Sequence, residues 1–251
     1  MLIDTHCHLD CEPLVSQLDQ LLTEARSAGI GQWVVPGVNP AGWDKLRQLC
    51  SRRPDLLPAY GIHPLSAAEG GDEQLATLDL LALEAVAIGE IGLDRQAGDL
   101  QQQEQLLREQ LRIARRHNLP VLLHCRGGID RLLNILQEER ACEVGGIMHA
   151  FSGSLESAHA CIRLGFAISL AGTLTFQNAV KPQRLAEVLP LDRLVLESDA
   201  PDMTPQRHRG QFNRPAWMLE TAQRLAEIKG LPLQQVAEAT SNTARRYLRL
   251  T

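Results

Sequence analysis

The chain has 251 residues, 44% of them hydrophobic, with 25 lysines and arginines against 30 aspartates and glutamates and a formal net charge of −5. That length buries a large core and suits one barrel-sized domain spanning residues 1–251, and the acidic balance argues against a protein that coats polyanions through a broad basic face. No apolar run reaches the roughly 18 residues of a membrane span, no signal peptide precedes the apolar Leu2–Ile3, and Cys7, Cys11, Cys50, Cys125, Cys142 and Cys161 are scattered without a CxxC pair, so a reduced, cytoplasmic protein with no membrane contact is expected.

Eight short β-rich runs alternate with segments of helical period: Leu2–Thr5, Gln32–Gly37, Leu57–Gly61, Ala85–Ile91, Pro120–His124, Gly146–His149, Ala167–Leu170 and Arg193–Glu197. Between them apolar residues recur at helical spacing, as in Leu14, Leu18, Leu21 and Ala25, then Leu107, Leu111 and Ala114, then Ile129, Leu133 and Leu136. Gly29 and Gly165 stand where helices should close, Pro54 follows the second helix, and Asn118 and Pro120 bracket the entry to the fifth strand. After the eighth strand come a Pro- and Arg-rich loop from Ala200 to Pro215, a helical pattern through Met218, Ala222 and Leu225, and a further segment from Leu233 to Leu250 in which Asn242 reads as the N-cap of the last helix. Repeated βα units of this number predict an α/β fold, a single-domain (β/α)₈ TIM barrel with extra C-terminal helices. An open doubly wound sheet is the rival architecture, although the first strand lacks the GxGxxG turn of its dinucleotide-binding form.

Strand alternation puts Asp4, His6 and His8 of "IDTHCHLD" on one face and Thr5 and Cys7 on the other, so two imidazoles converge as a chelating pair. Four other apolar runs carry a potential ligand: Glu90 in "AIGEIGLD", His124 in "VLLHCR", His149 in "GIMHAFSG" and Asp199 in "LVLESDAP". The C-terminal mouth of a barrel is where groups from different strands meet, and carboxylates in apolar runs are costly to bury without a cation. Those six side chains therefore make a metal site, with Cys7 and Cys125 turned away as packing residues.

The motifs "DTHCH", "GIHP", "GEIGLD", "HCR", "HAFSG", "ESDAP" and "NRP", in that order along nearly the whole chain, resemble those of the TatD-type metal-dependent deoxyribonucleases, a branch of the amidohydrolase superfamily. The "FNRP" form looks most like the YjjV-type branch, where the family more often has "NEP"; Arg214 thus stands in place of a carboxylate, and Ser198 in place of a more usual Thr. The resemblance implies that His6 and His8 hold one divalent ion, that His124 and His149 hold a second, that Glu90 bridges the two, and that Asp199 ligates the first and orients or deprotonates the attacking water. It also implies hydrolysis of phosphodiester bonds by a water activated between two metals, on single-stranded or frayed DNA ends in the 3′→5′ direction. Such mixed His and carboxylate ligands suit Zn, Mn, Fe or Ni, with Mg in excess.

His63 in "GIHP" is a candidate to supply the leaving-group proton or to orient a ligand. Arg126 could grip a phosphate oxygen or form a surface ion pair, and Arg207, His208, Arg209 and Arg214 give the last loop a local basic patch on an acidic protein. Phe151, Phe176 and Phe212 are the candidates for base stacking, and Asp94 could hold Arg126, order its strand or cap a helix. DNA is the expected partner of a monomer with no obligate protein partner. A carbon-centred hydrolase of amides, lactones or aminoacyl esters is the alternative for the same centre, and a metal-loaded barrel without catalysis is the third reading.

Overall fold

The computed structural model describes residues 1–250. Eight parallel strands follow chain order around one sheet: β1 (Leu2–Asp4), β2 (Ile30–Pro36), β3 (Leu56–Tyr60), β4 (Ala87–Asp94), β5 (Val121–Arg126), β6 (Gly146–Met148), β7 (Phe166–Leu170) and β8 (Leu194–Leu196). Between them run α1 (Leu18–Ser27), α2 (Trp43–Ser51), α3 (Asp72–Leu81), α4 (Leu100–Arg116), α5 (Ile129–Glu138), α6 (Leu155–Arg163) and α7 (Val180–Val188), and after β8 come α8 (Met218–Lys229) and α9 (Leu233–Leu248). Sequential parallel order with a helix in each crossover is the (β/α)₈ barrel, and the doubly wound alternative, which reverses strand order part-way, is excluded.

The sheet closes between β8 and β1 through a seam of mixed bonds. Thr5 donates its N–H and its hydroxyl to the Leu196 carbonyl, both at 3.1 Å, Asp199 N–H donates to His6 O at 2.9 Å, and His8 N–H donates to Ala200 O at 2.9 Å. Where a carbonyl would be due, the Asp4 carboxylate accepts the Ser198 N–H at 2.9 Å. Strand β1 therefore ends at Asp4, with a bend at Thr5. Asp4 faces the β8 backbone instead of sharing a regular strand face with His6 and His8, because closing the ring claims its side chain first.

The predicted helix stops hold: Gly29 and Gly165 adopt φ of +88° and +87° just past α1 and α6. Two details shift. On α5 the fully buried residues are Leu132, Ile135 and Leu136; of the expected Ile129, Leu133 and Leu136, the first two are only partly buried against the core, since adjacent apolar residues leave the centre of the face ambiguous at a period of 3.6. Asn242 is not an N-cap: α9 starts at Leu233 after Pro232 and runs through it, with Asn242 accepting from Arg245 one turn on. The neighbouring Ser241 hydroxyl finds its acceptor in the Met1 carbonyl at 3.0 Å, so this polar run continues the helix without breaking it.

Helix α9 seals the barrel floor. One interior residue from each strand, Ile3, Val34, Ala59, Ala87, Leu122, Ile147, Ala167 and Val195, packs in a layer that Ala244 and Leu248 cover from below. Leu248 is 2% exposed, and replacing a leucine so enclosed with alanine removes transfer energy and leaves a cavity, about 2–5 kcal/mol in all. Leu248→Ala should lower the denaturation midpoint accordingly in urea melts followed by circular dichroism; an unchanged midpoint would mean that α9 is not packed as described.

Candidate active site

At the opposite rim the chain builds a cavity of about 310 Å³ lined by His8, His63, Glu90, His124, His149 and Asp199. Glu90 reaches it because β4 is irregular. Ile88 pairs with Val121 and Ile91 with Leu123, so Gly89 and Glu90 together face Leu122, an extra residue that re-aims the carboxylate into the mouth. Both flanking glycines are required by close backbone approach. A Cβ on Gly89 would sit 2.5 Å from the Leu122 Cβ, and one on Gly92, at φ +152°, would sit 1.9 Å from the His124 carbonyl oxygen. The strand then runs on to Asp94, three residues beyond its expected end at Ile91.

Two buried glutamines on α4, neither anticipated, hold the strand ends. Gln110 accepts the Ile62 N–H at 2.7 Å and donates to the Ile62 carbonyl at 3.2 Å, fixing the residue before His63. Two helical turns earlier, Gln103 makes the same pair of bonds to Asp94, at 2.9 and 3.0 Å. Their spacing on the barrel face of an otherwise apolar stripe was the available signal: a polar residue there must find a backbone partner.

The two oxygens of Glu90 face different histidines. Oε2 lies 3.2 Å from His6 Nε2 and 3.8 Å from His8 Nε2. Oε1 lies 2.8 Å from His124 Nδ1 and 3.5 Å from both His149 Nε2 and His63 Nε2. Asp199 Oδ1 stands across the mouth, 3.7 Å from His8 Nε2 and from His149 Nε2 and 3.9 Å from His6 Nε2. All six expected ligands thus meet. Their grouping differs from the simple allocation in one respect: His149 stacks on His6 at 3.6 Å and shares a ligand set with His6 and Asp199, while His124 groups with Glu90 and His63. His149 belongs to both groups, 3.5 Å from Glu90 Oε1 while its ring lies on His6, the neighbour of Oε2.

His63 does not present a free lone pair. Its Nδ1 accepts the Leu65 N–H at 3.0 Å, so the ring hydrogen sits on Nε2, the nitrogen facing Glu90. It is a donor at the cavity wall, not a metal ligand.

Burial and charge set the protonation of the cluster. Burial, with His149 beside it, lowers His6 to about 3, leaving it neutral. Burial pushes Glu90 up, but His6 and His149 and the bonds from His124 and His6 outweigh it and hold the carboxyl well below its ordinary value. Burial likewise lowers His149, but Glu197, Asp199 and Glu90 outweigh it and raise the ring to about 10. A surplus of carboxylate charge recruits a proton there, as it would a divalent cation. The nitrogens His6 Nδ1, His8 Nδ1 and His124 Nε2 have no hydrogen-bond partner. A neutral His6 and an ionised Glu90 are ready ligands, and burial beside Glu197 and Glu90 raises Asp199 well above its ordinary value, so the crowding of acids that protonates His149 and Asp199 is one that divalent metal ions would relieve.

Outside the ligands stand two carboxylates. Glu197, fully buried, lies 3.1 Å from His149 Nδ1 and accepts the Ala150 N–H at 2.7 Å. It turns His149 Nε2 toward the centre, the arrangement in which a carboxylate fixes the tautomer of a metal-binding histidine. It stood in the sequence only as a strand end, yet a second acid two residues before Asp199 in an apolar run was its signature. Asp94 does the same less closely for His124 Nε2, at 3.5 Å, while also accepting the Gln96 N–H in a turn; no ion pair joins it to Arg126.

Of the expected substrate-side arginines, Arg126 lines the cavity. Arg209 lies outside it, its guanidinium 5.3 Å over Phe176, and Arg214 faces away, bonded to Glu24 at 3.1 Å and 5.7 Å over Trp217. His208 stacks on Trp217 at 3.9 Å and meets Glu220 at 2.6 Å. The basic patch is thus partly spent on α8. Phe151 is core, 6% exposed, whereas Phe212 is 69% exposed. All six cysteines are free, and among the described residues no helix is long and apolar enough to cross a membrane.

The family model for TatD related DNase matches residues 3–249. The chain belongs to this family. It is 37% identical to the uncharacterized metal-dependent hydrolase YjjV of Escherichia coli over 96% of this chain and 95% of that one, and 34% identical to the uncharacterized metal-dependent hydrolase YabD of Bacillus subtilis over the full length of both. The crystal structure of the E. coli YjjV protein superposes with a TM-score of 0.94 over 100% of this chain and 98% of that one, at 35% identity. A relative from Erwinia billingiae, 32% identical over 99% of both chains, is named 3′-5′ ssDNA/RNA exonuclease TatD. This TatD-family protein is a metal-dependent hydrolase acting on ester bonds.

Removing the charge that orients His149 should weaken metal retention. Glu197→Gln is expected to lower divalent-metal affinity about 10–100-fold, read by competition with a chromogenic chelator, with the fold checked by circular dichroism. Equal affinity in variant and parent would leave Glu197 a purely structural acid.

Proposed function

We propose that this protein is a two-metal phosphodiesterase acting on single-stranded or frayed DNA ends, releasing nucleotides in the 3′→5′ direction. The observation that carries this reading is the division of Glu90, one oxygen toward His6 and His8 and the other toward His124 and His149. A carboxylate so flanked can bridge two ions, with Asp199 completing the first set and His149 able to serve the second. Zn, Mn, Ni or Mg ions held there would stabilise developing charge on a phosphoryl group and make water acidic enough to attack near neutral pH.

The protein's own groups supply the rest. Asp199 lies across the cavity from Glu90 and takes the proton of the attacking water. His63, with its hydrogen held on Nε2, donates a hydrogen bond to the departing oxygen and steadies the charge that builds there. Arg126, on the cavity wall, meets a non-bridging phosphate oxygen. The 310 Å³ cavity has the scale of a small-molecule site and admits a strand end or splayed nucleotide more readily than an intact duplex. The relative named as a single-strand DNA/RNA exonuclease supports the same substrate class.

Metal-loaded protein should shorten single-stranded oligonucleotides and be silenced by chelation, and Asp199→Asn should reduce kcat about 10²–10⁴-fold. Intact oligonucleotides of every end structure, alongside turnover of an amide, lactone or aminoacyl ester, would replace this reading with the carbon-centred one. His63→Ala should cost a similar factor on oligonucleotides but far less on p-nitrophenyl phosphodiesters, whose leaving group carries its charge unaided. Equal losses on both would show that His63 positions Glu90 instead of donating.

A further inference from the structure

Beside the metal cavity lies a second groove, also about 310 Å³, bordered by Pro13, Leu14, Gln17, Phe212 and Arg214. The two hollows are lined by different residues of the same two chain segments. The segment after β1 contributes His8 and Cys11 to the cavity and Pro13 and Leu14 to the groove, folded tightly by Leu14 N–H on Cys11 O at 2.9 Å. The loop after β8 contributes Asp199 and Pro201 to the cavity and Phe212 and Arg214 to the groove. Asn213, 1% exposed, rivets these halves of the loop together: its N–H donates to Pro201 O at 2.9 Å and its Nδ2 to Ser198 O at 2.6 Å. The groove is therefore carried on the same backbone that holds Asp199.

Its chemistry is that of a nucleotide subsite. Phe212 is 69% exposed in a chain with 4 phenylalanines, and its neighbour Asn213 is fully tied down, so the ring is presented on a rigid support. An aromatic face in water gains by stacking on any base, without sequence preference. Arg214 is pinned by Glu24 through Nη1 and by Trp217 beneath it, and no other N–H of its guanidinium has a partner among the described residues. A guanidinium so oriented, with donors left over, suits a phosphate oxygen.

The geometry points to this groove as the subsite for the nucleotide next to the one at the metals, its base stacked on Phe212 and its phosphate met by Arg214. The inference rests on the proposed nuclease activity and deepens it: the enzyme grips a strand of at least two nucleotides, and the arginine of "FNRP" supplies a cation where a carboxylate would repel the strand.

The test compares kcat/KM on a thymidine trinucleotide with that on thymidine 5′-p-nitrophenyl phosphate, and measures anisotropy of a fluorescein-labelled oligothymidylate bound to the full-length protein. Phe212→Ala should lower the trinucleotide-to-mononucleotide ratio about tenfold, through KM, and weaken oligonucleotide binding by a similar factor; Phe212→Trp should restore both, and Arg214→Glu should depress both. If the parent cleaves the trinucleotide and Phe212→Ala alters neither ratio nor binding, the subsite is wrong and the nuclease reading stands. If the parent cleaves no nucleic acid yet binds the oligonucleotide through Phe212, the activity is wrong and the groove remains a nucleic-acid site. Self-association that Phe212→Ala abolishes in sedimentation would make the groove a contact between copies and overturn the inference.

Discussion

The architecture of the rim depends on keeping one ionised carboxylate, Glu90, buried at the base of the cavity. A lone charge there would be expelled or neutralised; surrounded by the rings of His6, His8, His63, His124 and His149, it is held well below its ordinary pKa despite its burial. Each ring comes from a different strand end or from the bend after β1, so the electrostatic requirement of one side chain links most of the barrel's circumference.

Backbone precision at those strand ends comes from outside the sheet. Gln103 and Gln110 on α4 tie down Asp94 and Ile62 with paired amide bonds, and Gly89 and Gly92 permit β4 to lie against β5 more closely than a Cβ allows. The seam between β1 and β8 does the same for His6, His8 and Asp199, whose backbone groups form the closing bonds themselves. Ring closure and ligand placement are one set of interactions there. The two ends of the barrel divide the work: α9 closes the floor with apolar contact, and the mouth is left polar, open and rigid.

Charge around the centre is layered. Glu197 and Asp94 stand behind His149 and His124, with Arg126 on the cavity wall. Arg209 and Arg214 lie on the loop after β8, where they pack on Phe176 and Trp217. An acidic protein thus keeps arginines at and beside the mouth, while the centre itself gathers the carboxylates that raise His149.

The six side chains that meet at the mouth, the eight strands and the barrel order were legible in the chain, because apolar runs ending in His, Glu or Asp are costly unless those ends converge, and because βα alternation at that count has few solutions. Glu197, Gln103 and Gln110 were visible only as polar residues in apolar company, since their partners lie 47, 9 and 48 positions away in sequence and are chosen by packing. Tertiary structure alone decided that His63 carries its hydrogen on Nε2, that Asp4 serves the β1–β8 seam, that α9 passes through Asn242, and that Arg214 turns from the mouth toward Glu24. Residue type dictates what a group can bond; only the closed barrel dictates which of several competent partners comes within reach.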